Sequence, residues 1–147
     1  MTGCVMSNAG ATSSSRSTKT AGDPDTRQAL LRVAVEFNND YAANRSGLVY
    51  GRWDARSKSV IPRAQYVRRH VECPTAPGRA LVEGASRAAH GYWRVFYSIS
   101  GTRLTDYWLY QGGRWRFDLV RSNPSAVTLY RLPFAAYAAA VGCTPSK

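Results

Sequence analysis

An α+β fold is predicted by two changes in hydrophobic period and by the turns between them. From Leu30 to Val71 apolar residues recur at three- and four-residue spacings, as on amphipathic helices. From Arg79 to Val120 the period falls to two, as on half-buried strands, and Gly-containing turns fold this stretch back on itself. Helical spacing returns after Asn123-Pro124. Helices first, an antiparallel sheet next and short C-terminal helices last make one α+β layer arrangement.

The first helix should follow Pro24. Leu30, Ala34, Phe37 and Tyr41 share one face, Val33 widens it, and Arg32, Glu36, Asn39 and Asp40 lie opposite. It should end near Asn44, before Ser46-Gly47. A shorter apolar group follows in Leu48, Val49, Tyr50 and Trp53. A third helix is expected to start around Ile61-Pro62, because proline fits a first helical turn. Its inward face would be Tyr66, Val67, His70 and Val71, with Arg63, Arg68, Arg69 and Glu72 outward.

Ala80-Leu81-Val82 opens the first strand. Trp93, Val95, Tyr97 and Ile99 alternate with Arg94, Phe96, Ser98 and Ser100 in the second. Gly101-Thr102 and Gly112-Gly113 are the expected two-residue turns. These turns would set Ile99 opposite Leu104, Tyr97 opposite Asp106, Val95 opposite Trp108 and Trp93 opposite Tyr110. The second turn sets Tyr110 opposite Trp115, Trp108 opposite Phe117 and Asp106 opposite Leu119. One face of the meander is then aromatic and aliphatic, and the other is rich in Arg, Ser and Thr. A one-residue slip would turn the apolar set to solvent, so that face is strongly specified. Short helical stretches are expected through Leu129-Tyr130 and from Pro133 to Val141.

The chain has 147 residues, room for one ordinary domain, and no apolar run approaches the roughly 20 residues of a membrane-spanning helix. Its 20 Lys+Arg outnumber 9 Asp+Glu, for a formal charge of +11, and lysine appears only at Lys19, Lys58 and Lys147. The arginines are scattered, with no basic helix, zinc-finger spacing or RNP-like motif, which argues against nucleic acid as a partner. Diffuse positive charge suits an anionic surface or a protein partner instead.

Cys73 and Cys143 flank predicted elements as a staple would, and their pairing would imply an oxidising, exported setting; two unrelated buried thiols are the alternative. Cys4 is left over. Met1-Thr2-Gly3-Cys4 resembles the tail of a bacterial lipobox, with Met1 where Leu is usual. Ser7 to Pro24 has the Ser/Thr/Gly composition of an unfolded tether. The resemblance implies lipidation of Cys4, residues 1–24 as tether and 25–147 as domain. The domain would then sit on the outer face of the cytoplasmic membrane.

The layout also resembles the nuclear-transport-factor-2-like superfamily, in which N-terminal helices close a curved antiparallel sheet into a cone. Trp53-Asp54-Ala55-Arg56-Ser57-Lys58-Ser59-Val60-Ile61-Pro62, running into Tyr66-Val67-Arg68-Arg69-His70, looks like a segment of small exported actinobacterial members. So does Asn123-Pro124-Ser125-Ala126-Val127-Thr128-Leu129-Tyr130, followed by Tyr137 through Cys143. The resemblance spans about residues 26–143 and implies fold more than activity, since the superfamily holds isomerases, dehydratases and hydrolases beside non-catalytic binding domains.

Ketosteroid-isomerase-like members use a carboxylate inside the cone as a proton shuttle. Asp106 is the acid on the inward face of this meander, and desolvation there would raise its pKa toward that of a general base. A structural role is equally natural, with the Tyr97 hydroxyl or a helix arginine as partner. His70 could be a second acid–base group or a hydrogen-bonded core histidine. Tyr41, Tyr50, Trp53, Trp93, Tyr97, Trp108, Tyr110 and Trp115 could line an apolar ligand pocket or fill the core. His70 and His90 lack metal-ligand spacing with the cysteines, and no phosphate loop or dinucleotide fingerprint occurs, so no cofactor is expected. Two function classes follow. One is a non-catalytic envelope lipoprotein domain binding a small apolar ligand, a wall component or a protein. The other is a small isomerase-like or hydrolase-like enzyme using Asp106.

Overall fold

Thr26 starts the first helix by accepting a hydrogen bond from the Ala29 amide at 3.1 Å, and α1 runs over Arg27–Ala42. A computed structural model describes residues 22–145 of the chain. The lipobox-like Met1–Cys4 and the tether up to residue 21 lie outside the described residues. On α1, Ala29, Leu30, Val33, Ala34 and Phe37 are buried, the stripe that the spacing predicts. Asn44 follows with a φ of 55°, a left-handed conformation that asparagine tolerates. Its side chain holds Thr75 by three bonds, from Nδ2 to the Thr75 carbonyl at 2.8 Å and to Oδ1 from the Thr75 amide at 2.9 Å and hydroxyl at 3.1 Å. The helix end thus tethers the loop that leads into the sheet.

Three shorter helices follow: α2 (Ser46–Arg52), α3 (Ala55–Lys58) and α4 (Arg63–Glu72). Asp54 caps α3 by accepting from the Ser57 amide at 2.8 Å. On α4, Tyr66 and His70 are buried as expected, but two positions are exchanged. Val71 is 69% exposed, and Arg69, expected outward, is 5% exposed. The C-terminal segment covers that side of α4 through bonds from Arg69 to the carbonyls of Leu129 and Leu132. A period read from one helix assumes a single covered face, and here there are two.

The sheet is an antiparallel meander in the order β1 (Ala80–Arg87), β2 (Trp93–Ile99), β3 (Thr102–Gln111) and β4 (Arg114–Phe117). The second hairpin turns at Gly112-Gly113, both at positive φ, and pairs Tyr110 with Trp115 and Trp108 with Phe117 as predicted. The first hairpin differs. It turns at Ser100-Gly101, with φ of 50° and 80°, rather than at Gly101-Thr102. Such a tight turn needs positive φ at both central residues, which β-branched threonine resists. Ile99 therefore pairs with Thr102, Tyr97 with Leu104, Val95 with Asp106 and Trp93 with Trp108. The shift is two residues, so every side chain keeps its face. The predicted opposition of Asp106 and Leu119 is also absent, because Leu119 begins a helix.

That helix, α5 (Leu119–Ser122), is capped by Asp118, and α6 (Pro124–Tyr130) by Asn123; α7 (Phe134–Ala140) ends before Gly142. The sheet's inner face meets α1 where Phe37 packs on Trp108 and Phe117, at ring-centroid distances of 5.1 and 4.6 Å. Trp53, Trp108 and Trp115 are fully buried, and truncating any one to alanine would cost about 3–5 kcal/mol. Cys73 and Cys143 form a disulfide that ties the end of α4 to the end of α7, with Cα atoms 5.6 Å apart. The folded unit reaches back past the expected boundary at residue 24. Asp23 takes an amide bond from Trp115 and an ion pair from Arg52, while Trp115 Nε1 donates to the Pro24 carbonyl.

Candidate functional site

The inner face of the sheet and the helices leave a cavity of about 290 Å³, partly open to solvent. Phe37 and Tyr41 come to it from α1, Tyr66 from α4, Tyr97 and Asp106 from the sheet, and Tyr130 from α6. Pro77, in the loop held by Asn44, also borders it. Its size lies at the small end of ligand pockets, and its wall is mostly aromatic and aliphatic with few polar side chains, as such pockets usually are.

Asp106 is the acid on this wall. It lies 7% exposed on β3, where strand alternation turns it inward beside Trp108. Burial pushes its carboxyl up to about 7, against a smaller opposing pull from the Tyr97 hydroxyl, which donates to Oδ1 at 3.3 Å. No ion pair to Asp106 is formed among the described residues. Of the two partners expected for it, the hydroxyl is realised and the arginine is not. Near neutral pH the carboxyl can therefore donate or accept a proton. Burial also raises the Tyr97 phenol, so it stays a neutral donor.

His70 does not line the cavity. Its ring packs at a tilt against Tyr66, with centroids 4.5 Å apart, and Nε2 lies 3.0 Å from the Tyr130 hydroxyl. Desolvation brings its pKa down to about 4, so it is neutral at physiological pH. The structure does not bring His70 and Asp106 together as a catalytic pair.

The eight expected pocket aromatics divide. Tyr41, Trp53 and Tyr97 line the cavity. Tyr50, Trp108 and Trp115 are core, and Trp93 and Tyr110 pack around Trp115 at 6.1 and 5.2 Å. Tyr50 is held in the helical layer by bonds from its hydroxyl to the Lys58 and Ile61 carbonyls, and Trp115 by the chain before α1, where the Pro24 carbonyl accepts from its Nε1. Trp53 adds a polar feature: its indole Nε1 is buried without a hydrogen-bond partner among the described residues. The Trp108 Nε1 is buried without a partner in the same way, and neither nitrogen is accessible from the cavity.

The sequence reading missed Tyr66 and Tyr130 as cavity residues. Tyr66 was assigned inward without a role, and Tyr130 sits after a turn whose direction periodicity does not encode. It also missed Asp118, fully buried behind the sheet. Asp118 accepts from Arg56 Nη2 at 2.7 Å, the Tyr92 hydroxyl at 2.9 Å and the Arg121 amide at 2.9 Å. With both carboxylate oxygens hydrogen-bonded, Asp118 is a staple between α3, the residue that precedes β2, and α5. Among the described residues no group of three or more His, Cys, Asp or Glu could hold a metal ion, and no helix is long and apolar enough to cross a membrane.

No protein-family model matches the chain, and no curated protein matches it.

Proposed function

We propose that this chain is a non-catalytic binding domain that holds a small, largely apolar molecule in its cavity. The ligand would carry one hydroxyl or similar group toward Asp106. One observation carries the reading: an aromatic cavity of about 290 Å³ with a single carboxyl on its wall, already hydrogen-bonded by Tyr97. The nuclear-transport-factor-2-like resemblance is consistent with this use of the cone. On the same proposal the domain is an envelope lipoprotein, exported and tethered through Cys4, and the Cys73–Cys143 disulfide is consistent with an oxidising compartment.

A titration with 2-naphthol, an apolar ring bearing one hydroxyl, tests the binding reading. Amide and side-chain NMR shifts should move at Tyr97, Trp53 and Tyr130, and Tyr41→Trp, which fills the cavity, should abolish them. Shifts scattered over the surface, or unchanged in Tyr41→Trp, would sink it. The anchor is tested separately by metabolic labelling with a clickable fatty acid, which Cys4→Ala should prevent.

A second reading rests on the position of Asp106 near pKa 7 on a cavity wall, where a single carboxyl could relay a proton as general base. Among the described residues no histidine or second carboxyl lines the same wall, and with His70 turned into the core this favours binding over catalysis. Proton exchange from a cyclic 3-enone, lost in Asp106→Asn and kept in His70→Gln, would reverse that preference.

A further inference from the structure

Arg69 is a buried cation with no carboxylate partner among the described residues. Its Nη1 donates to the Leu129 carbonyl at 3.3 Å and its Nη2 to the Leu132 carbonyl at 2.5 Å, and its guanidinium lies 4.7 Å from the Tyr137 ring centroid. Two of five guanidinium donors are thereby used. Two neutral acceptors could be satisfied by a neutral amide without the cost of desolvating a charge. No carboxylate among the described residues offsets the charge, and the surroundings add to it. Arg69 borders a cleft of about 540 Å³ between α4 and the α6–α7 turn, together with Arg68, Arg131 and Gln65. Among the described residues no Asp or Glu lines that cleft. Arg68 is oriented by a 2.8 Å bond from Nε to Glu72 and by the Phe134 ring 4.4 Å beneath it, so its position is defined before any ligand arrives.

We infer that this cleft is a second binding site, for a phosphate group, with Arg69 at its base and Arg68 and Arg131 at its rim. A tetrahedral oxyanion offers acceptors in several directions, which three planar guanidinium forks can meet and a single planar carboxylate cannot fill. The cleft shares only Tyr130 with the aromatic cavity, so this inference stands whether or not that cavity binds a ligand. The phosphate could belong to a soluble ester or to a lipid headgroup, and the same site chemistry serves both.

The test is a titration of the folded domain with inorganic phosphate at fixed ionic strength, set beside sodium chloride. Binding should saturate for phosphate alone. The double variant Arg68→Gln/Arg131→Gln alters two exposed rim residues, so folding should survive, and affinity should fall by roughly tenfold or more. Arg32→Gln, an exposed arginine of α1, should bind like the parent chain. Vesicles of phosphatidylcholine with and without phosphatidic acid form the second arm. Binding to phosphatidic acid that is lost with the rim arginines assigns the site to a headgroup; saturable free phosphate without vesicle binding assigns it to a soluble ester. Equal phosphate affinity in the double variant, equal stabilisation by chloride, or no binding in either arm overturns the site.

Discussion

The Tyr97 hydroxyl donates to Oδ1 of Asp106 across 3.3 Å, from a diagonal position two pairs along on the neighbouring strand. Directly opposite Asp106 stands Val95, which cannot satisfy a carboxyl, so the longer reach of a diagonal tyrosine supplies the bond. Replacing Tyr97 by Phe should cost about 1 kcal/mol. It should also raise the Asp106 pKa further, because the hydroxyl is the influence holding it down. A carbon-detected NMR titration of the Asp106 carboxyl in Tyr97→Phe checks this, and an unmoved midpoint would show that the bond is not formed in solution.

Two buried groups give the domain opposing pH dependences. Asp106 holds its proton in the folded state up to about pH 7, whereas an ordinary aspartate releases it near 3.9. Its contribution is therefore full below about pH 4 and lost as pH rises toward 7. His70 titrates near 4 when folded and near 6.5 when unfolded, so its contribution is present above about 6.5 and lost as pH falls toward 4. Each amounts to something on the order of 3–4 kcal/mol, and between about pH 4 and 6.5 they largely cancel. Urea unfolding across this range should show stability rising with pH in Asp106→Asn and falling in His70→Gln. Parallel curves for both variants and the parent chain would refute the assignment.

At pH 8 the same logic makes Asp106→Asn no less stable than the parent. The variant removes a carboxylate that is ionised against its desolvation, while the amide oxygen still accepts from Tyr97. A melting temperature several degrees below the parent at pH 8 would point to a partner beyond Tyr97.

The Cys73–Cys143 bridge closes a sequence separation of 70 residues. Chain-entropy reasoning assigns such a loop about 4 kcal/mol. Cys143→Ser should lower the urea midpoint accordingly and free the last turn of α7, visible as faster amide exchange at Ala138 and Ala139. Reduction of the parent chain should reproduce the effect, and a reduced domain as stable as the oxidised one would count against it.

Asp118 should prove the most costly acid to remove. Asp118→Ala strips a helix cap and strands the Tyr92 hydroxyl, for about 2–3 kcal/mol, while Arg56→Gln should cost under about 1 kcal/mol because Arg56 is more than half exposed. Thermal unfolding of the two variants decides the order, and equal losses would mean that the ion pair dominates.

Local periodicity determined much of this protein. The stripe on α1, the inward set of the sheet, the Gly112-Gly113 turn and the inward placement of Asp106 are properties of a few neighbouring residues, and each was legible in the chain. The disulfide was legible too, because its cysteines flank elements that must meet. Tertiary structure decided the rest. Whether Ser100 or Thr102 shares the first turn with Gly101 shifts the pairing by two residues without moving any side chain to the other face, so hydrophobic pattern cannot distinguish them. Arg69 is buried because the α6–α7 turn closes over α4 from some 60 residues away, and Asp118 because Arg56 and Tyr92 converge on it from separate elements. A charged residue reads as solvent-facing until a distant part of the chain supplies its partners, and that supply is set by packing rather than by sequence period.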